Sequence, residues 1–340
     1  AGRTHRSSVA SGPTPNTWPG TYSGWWLEVA VAHLDNGPDP NDPYATRIAE
    51  TTETIDLKDG RTLAYCEFGD QNGDPVFVFH GGVGSRGFGL LFDDAAIERG
   101  VRIVSPDRPG YGRSDPQPNR RLLDWLADVA ALADDLGLDR FAVLGVSGGG
   151  PYAAACAHDL SSRLTAVAMV SSLGPPDAPR TRGIVVIAWL ARWLPWIAGL
   201  PIKRTLERAR TDPDAAVEAR ARGKAEPEAA MHRGDAGRRL TAQTAEAGRQ
   251  GHHHAVVEIA IRGRPWGFDL GDIAVPVGIW HGGLDRTIPV GSAEYLAATI
   301  PDARLTVHDD VGHLSLPIHH AEEILGFLQA RVDQANVPAR

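Results

Sequence analysis

The sequence predicts an α/β fold: a doubly wound, mostly parallel sheet carrying an inserted helical segment. Three observations predict it. Strand-length apolar runs recur along the chain, at PVFVFHGG (75–82), VRIVSPD (101–107), FAVLGVS (141–147), LTAVAMVSS (164–172), VPVGIWHGG (275–283) and ARLTVHDD (303–310). Unbroken Val/Ile/Phe runs fit strands buried on both faces, which means a parallel sheet covered by helices. Helical stretches alternate with them, as crossover connections require. Between 176 and 268 the alternation stops, and no strong strand signal returns until VPVGIW.

Taken in order, residues 1–43 are rich in Pro, Gly, Ser, Thr and Asn and read as a disordered leader. Their apolar piece, WWLEVAVAHL, is short and carries Glu28, and AVA at 30–32 mimics a cleavage site. The expectation is a cytoplasmic protein, with secretion through this leader as the alternative. The α/β core is placed at 44–175 and 269–335. It opens with ETIDLKDGRTLAYCEFGD (53–70), two alternating runs joined by Asp59-Gly60, a hairpin signature. The stretch 122–138 puts Leu122, Trp125, Leu126, Val129 and Leu132 on one helical face and stops before Gly137. SAEYLAATI (292–300) reads as another helix, and HAEEILGFLQARV (320–332) packs Ile324, Leu325 and Leu328. The insertion begins apolar and Trp-rich and continues as Ala/Arg/Glu-rich helix with Pro and Gly breaks.

Composition narrows the function. Net charge is −8, with no long basic run, which argues against nucleic acid as a partner. Lys58, Lys203 and Lys224 are the lysines. The two cysteines, Cys66 and Cys156, make no disulfide framework and read as small core residues. The nearest approach to a membrane span, residues 184–200, is broken by Arg192 and Pro195, so no stable membrane insertion is expected. His252, His253 and His254 are consecutive, so they diverge around a helix and are not expected to hold a metal.

The chemistry sits at LGVSGGGPY (144–152). Gly145-Val146-Ser147-Gly148-Gly149 fits G-x-S-x-G between an apolar strand and an Ala-rich helix. That context marks a nucleophile on a tight strand-to-helix turn, where small neighbours let the chain bend and the helix N-terminus offers free N–H groups. A phosphate loop would need further glycine spacing or a following Lys, and has neither.

A serine hydroxyl needs a base. Of 13 histidines, His313 in DDVGHLSLP follows the last strand, and Asp285 in WHGGLDRTIP follows the preceding one. Chain order is then Ser, Asp, His. Asp177, after VSSLGPP, is the rival acid. Backbone N–H groups of Gly148 and Gly82 are expected to form an oxyanion hole, and His80 to hold its loop in place.

With these pieces assembled, the chain resembles the α/β-hydrolase superfamily. The resemblance rests on FHGG (79–82), PDRPGYGRSD (106–115), GVSGG (145–149), HGGLDRTIP (281–289) and GHLSL (312–316), and spans about residues 50–332. It implies that 176–268 forms a cap over the active site and that PDRPGYGRSD is a structural loop. Members that open epoxides or remove halogens use Asp at the nucleophile position, where this chain has Ser147. Epoxide openers also use cap tyrosines, and no Tyr occurs between Tyr152 and Tyr295. Dienelactone-type members use Cys at that position, and hydroxynitrile lyases a Lys near the triad. HGGVGS departs from the HGGPG of proline iminopeptidases, and the elbow lacks the Ser-Met-Gly-Gly common in C–C hydrolases.

The resulting expectation is a serine carboxylesterase acting without a cofactor on a small ester with an apolar acyl group. Aminopeptidase, thioesterase, cofactor-free perhydrolase and slow-turnover ligand-binding protein remain as alternatives. Trp189, Trp193 and Trp196 lie at helical spacing and are candidates for an apolar substrate lid, for packing of the cap on the sheet, or for a surface-seeking face. Oligomeric state is left open.

Overall fold

The computed structural model describes residues 42–335 apart from 225 and 227. The leader expected over 1–43 lies outside the described residues up to residue 41. Asp42 already caps the first helix, α1 (Pro43–Glu50), by accepting from the Tyr44 and Ala45 amides.

The hairpin forms as the alternating pattern predicts: β1 (Thr52–Asp56) pairs antiparallel with β2 (Thr62–Gly69). After it come β3 (Asp74–Phe79), α2 (Asp93–Arg99), β4 (Val101–Pro106), α3 (Trp125–Asp135), β5 (Phe141–Val146), α4 (Gly150–Asp159) and β6 (Leu164–Val170). Six helices then follow without a strand: α5 (Arg182–Trp193), α6 (Pro195–Thr211), α7 (Pro213–Ala221), α8 (Glu228–Arg233), α9 (Asp235–Ala247) and α10 (His253–Arg262). The chain returns to the sheet with β7 (Val277–Gly282), α11 (Val290–Thr299) and β8 (Ala303–His308), and ends in α12 (Ser315–His319) and α13 (Ala321–Ala335).

The strands form one eight-stranded sheet in the order β1-β2-β4-β3-β5-β6-β7-β8. β2 runs antiparallel to both of its neighbours, and the ladders from β4 to β8 are parallel. Central strands are apolar throughout because both faces are covered. Phe77, Phe79 and Val143 pack with Trp125 and Val129 of α3 and Ala153 and Cys156 of α4. Their sequence neighbours Val76, Val78, Ala142 and Leu144 pack on the other face with Ala96 of α2 and Ile324, Leu325 and Leu328 of α13. This is the period of two that strand geometry imposes. β8 departs from the both-faces expectation: it is an edge strand pairing only with β7, and its residues are half-buried or exposed.

The chain leaves β3 toward β4 and leaves β5 toward β6, so connections diverge between two adjacent strands. The crevice at the C-terminal ends of such a pair is where open α/β sheets bind ligands. Gly81 and Gly82 follow β3 there, and Ser147 follows β5.

Candidate active site

Ser147 occupies the turn between β5 and α4 with φ at +55°. L-residues seldom hold this left-handed conformation, and it stores strain on the order of 1 kcal/mol or more. The turn closes because its neighbours lack side chains. A Cβ on Gly145 would fall 2.7 Å from the Ala153 Cβ, and one on Gly149 only 2.2 Å from the Phe79 carbonyl oxygen. The glycines therefore serve close approach, and the strain is carried by the serine alone.

The loops after β7 and β8 complete an unbroken relay. His313 Nε2 lies 2.9 Å from Ser147 Oγ, and His313 Nδ1 lies 2.6 Å from Asp285 Oδ2. Asp285 Oδ1 accepts from the Thr287 and Ile288 amides at 2.8 and 3.0 Å. Burial acts to raise the Asp285 pKa. The charge and hydrogen bond of His313 and the two amides outweigh it and hold the carboxylate below its ordinary value. The acid beside His313 is thus Asp285, while Asp177 is exposed on the loop after β6. His281 also approaches Asp285, at 3.7 Å, but burial lowers its pKa and Nε2 meets the Ile288 carbonyl.

Gly82 and Gly148 come together as their positions suggested: a Cβ on Gly148 would lie 3.2 Å from the Gly82 amide nitrogen. Arg108 pins this loop from below, donating to the carbonyls of His80 and Gly81 at 2.6 and 2.7 Å. Tyr111 donates to the Gly82 carbonyl at 2.9 Å. The PDRPGYGRSD segment therefore braces the loop. His80 is fully buried, and its Nδ1 meets the Gly81 carbonyl. Burial and neighbouring Arg108 push its pKa well down, so it is a neutral bracing group.

One brace was not read from the sequence. Glu228 of α8 accepts from the Ser315 hydroxyl at 2.5 Å and from the Ser315 and Leu314 amides at 3.1 and 3.2 Å. It thereby fastens the His313 loop to the helical insertion. Burial opposes its ionisation, but the hydrogen bonds from His232, Ser315 and the two amides prevail and bring its pKa to about 2. The folded value lies below the unfolded one, so the stabilisation is complete above the unfolded pKa of about 4.3 and is lost as pH falls through about 2. It amounts to on the order of 2 kcal/mol once solvent screening is allowed for. Thermal melts from pH 6 to pH 2 are expected to fall more steeply for the wild type than for Glu228→Gln. Parallel curves would show that this carboxylate is not the acid-sensitive brace.

Two cavities open at Ser147, of about 130 and 180 Å³. The first is walled by Leu173, Ile184, Ile187, Ile259 and Ile288, with Arg180 and Arg262. The second runs past His313, Phe88 and Leu240. Neither lining contains Trp189, Trp193 or Trp196, whose residues are 55, 48 and 54% exposed. This corrects the expectation that they form the substrate lid or pack the cap onto the sheet. The three share a helical spacing, but that face of α5 turns outward, and α6 leaves it at an angle of 117°. Ile184, Ile187 and Ala188 form the inward face instead.

The histidine triplet diverges only in part: the His252 and His253 rings stack with centroids 4.4 Å apart, while His252 packs toward Gly199 and His254 toward Gly110. Cys66 and Cys156 are buried free thiols. No single helix among the described residues is long and apolar enough to cross a membrane.

Arg262 and Glu258 also escaped the sequence reading. Both lie on α10, four residues apart, and both are buried. The available signal was a pair of charges set into the apolar run AVVEIAIR. Glu258 joins Arg108, Arg120 and the Tyr152 hydroxyl beneath the nucleophile helix.

A family model described as alpha/beta hydrolase fold matches residues 74–319. An uncharacterised hydrolase of Bacillus subtilis is 33% identical over 123 residues, which are 36% of this chain and 41% of that protein. A non-heme chloroperoxidase of Streptomyces lividans is 34% identical over 130 residues, 36% of this chain and 45% of that one. The chain thus spans less than half the length of these curated relatives. Among solved structures, a thermophilic esterase from Thermogutta terrifontis superposes with a TM-score of 0.60 at 23% identity, covering 84% of this chain and 99% of that one.

Proposed function

The chain belongs to the α/β-hydrolase fold family, and from that premise we propose that it is a serine carboxylesterase. The observation that carries the proposal is the hydrogen-bonded series Ser147–His313–Asp285 at 2.9 and 2.6 Å, facing two cavities. Ser147 Oγ attacks the ester carbonyl as His313 Nε2 takes its proton. Asp285 holds Nδ1–H and stabilises the imidazolium. The Gly82 and Gly148 amides receive the developing oxyanion. His313 then returns the proton to the departing alcohol, and in the second half-reaction it activates water against the acyl-enzyme.

The cavities support an ester over an amino-terminal peptide. An ammonium group needs a carboxylate to receive it, and among the described residues neither lining contains Asp or Glu. Both volumes fall below the roughly 300 Å³ at which sites for drug-sized ligands begin, so the acyl group is short. Across p-nitrophenyl esters from acetate to palmitate, kcat/KM is expected to peak at six carbons or fewer and to drop at least about tenfold by palmitate, by the free-energy cost of displacing the cavity walls. A maximum at palmitate would refute the short-acyl reading. No turnover of any carboxylic ester, neutral or carrying a second carboxylate, by the folded protein would refute the esterase.

A further inference from the structure

The cavity beside Gly148 holds more positive charge than its surroundings balance. Arg262 leans over the nucleophile turn: a Cβ on Gly148 would fall 1.5 Å from its Nη1, and one on Gly82 would fall 3.5 Å from its Nη2. Its side chain is 7% exposed. Nε donates to the Glu258 carbonyl at 3.1 Å, and among the described residues neither Nη makes a hydrogen bond. Arg180, on the same cavity wall, donates through Nη2 to the carbonyls of Gly174 and Arg262. Its Nε is buried without a partner.

Arg262 lies in the field of Arg108 and Arg120 as well as of Tyr111 and Tyr152, and burial together with the two arginines disfavours its charge. Glu258 is the carboxylate set among them. It is engaged by Arg108 and Arg120 and stays 4.0 Å from Arg262 Nε. Asp107 is taken by Arg86. Asp177 is exposed and touches Arg180 only through its field. By contrast Arg220, in the other cavity, has both Nη groups satisfied by Thr241 and Thr244. A guanidinium cannot shed its proton, and this one shares its nearby carboxylate, at 4.0 Å, with two other arginines while, among the described residues, its Nη groups face the cavity without a hydrogen bond, so it calls for an anion. The tetrahedral oxyanion is transient and is already served by two amides. A standing anion from the substrate answers the charge better, and a carboxylate matches the planar fork.

The two cavities also have distinct parts. His313, which protonates the leaving alcohol, lines the second cavity and not the first. The acyl group therefore enters the first. We propose that Arg262, assisted by Arg180, is a carboxylate-binding subsite, and that the substrate is a half-ester: a short dicarboxylic acid esterified at one end. The proposal rests on the esterase reading of the same site.

The test compares monomethyl esters of succinate, glutarate and adipate with the methyl esters of the matching half-amides, which replace the carboxylate by a carboxamide of equal size. Methanol release is followed for wild type, Arg262→Gln and Arg262→Lys. A parallel measurement needs no turnover: thermal shift of Ser147→Ala with each free dicarboxylate and each half-amide. The wild type is expected to favour one carboxylate ester over its carboxamide by about 30-fold or more in kcat/KM, as a charge-assisted hydrogen bond would give. Arg262→Gln is expected to collapse that ratio toward one, and Arg262→Lys to restore part of it. Dicarboxylate, not half-amide, is expected to raise the melting temperature of Ser147→Ala. Equal turnover of both ester series by the wild type would overturn the subsite and leave the esterase standing. An equal loss on both series in Arg262→Gln would also overturn it and place Arg262 at the oxyanion. Stabilisation by dicarboxylate with no ester hydrolysed would uphold the subsite and sink the esterase.

Discussion

Ser147→Ala is expected to lower kcat on the best ester by about 10⁴ to 10⁶-fold while leaving the fold intact. The hydroxyl oxygen is the atom that forms the acyl-enzyme, and among the described residues the other hydroxyl side chains lining either cavity are Thr205, Thr244 and Thr287, with no thiol. None of these shares the hydrogen bond from Ser147 to His313 Nε2. What survives is what the amides of Gly82 and Gly148 do for attack by water. A companion variant separates chemistry from folding. Because Ser147 sits at φ +55°, Ser147→Gly relieves a left-handed conformation and is expected to be inactive yet more stable by about 1 kcal/mol. Ester assays and thermal melts on the three proteins check both halves. More than about 1% residual activity in a clean Ser147→Ala preparation would remove the nucleophile assignment.

The sequence exposed the parts of this molecule that local pattern dictates. Strands buried on both faces read as apolar runs, and Val76 to Phe79 send alternate side chains to opposite cores as that pattern requires. The nucleophile turn was legible because its glycines answer a local demand, the approach of Gly149 to the Phe79 carbonyl. His313 and Asp285 were legible because strand ends place loops at one edge of a parallel sheet. Which way a helix face turns is not local. The spacing of Trp189, Trp193 and Trp196 suggested one shared face, but Trp196 falls on α6 beyond the bend, and it is Ile184, Ile187 and Ala188 that turn inward, to the cavity they line with Ile259 and Ile288. The buried charges were hidden for the same reason. Glu258 and Arg262 resemble solvated residues until the helix that bears them is laid over Arg108 and Ser147.

Glu258→Ala is expected to be the most destabilising single change at this site, by about 3–5 kcal/mol, lowering the melting temperature by roughly 5–15 °C. Glu258 is wholly buried, and it accepts from Arg108 Nε at 3.0 Å, from Arg120 Nη2, and from the Tyr152 hydroxyl at 2.7 Å. Alanine would leave Arg108, Arg120 and Arg262 with no carboxylate between them. The damage would extend to catalysis, since Arg108 also holds the His80 and Gly81 carbonyls of the loop beside Ser147. A fall of about 10–100-fold in kcat/KM is expected even in the fraction that remains folded, as a misplaced catalytic loop would give. Glu258→Gln keeps the size and the hydrogen-bonding carbonyl but removes the charge, so it should fall between the two. That ordering, wild type above Gln above Ala in melting temperature, is what a charge-balancing role requires. If Gln and Ala melt together near the wild type, the arginines are neutralised by something other than Glu258, and the charge count beneath the nucleophile is wrong.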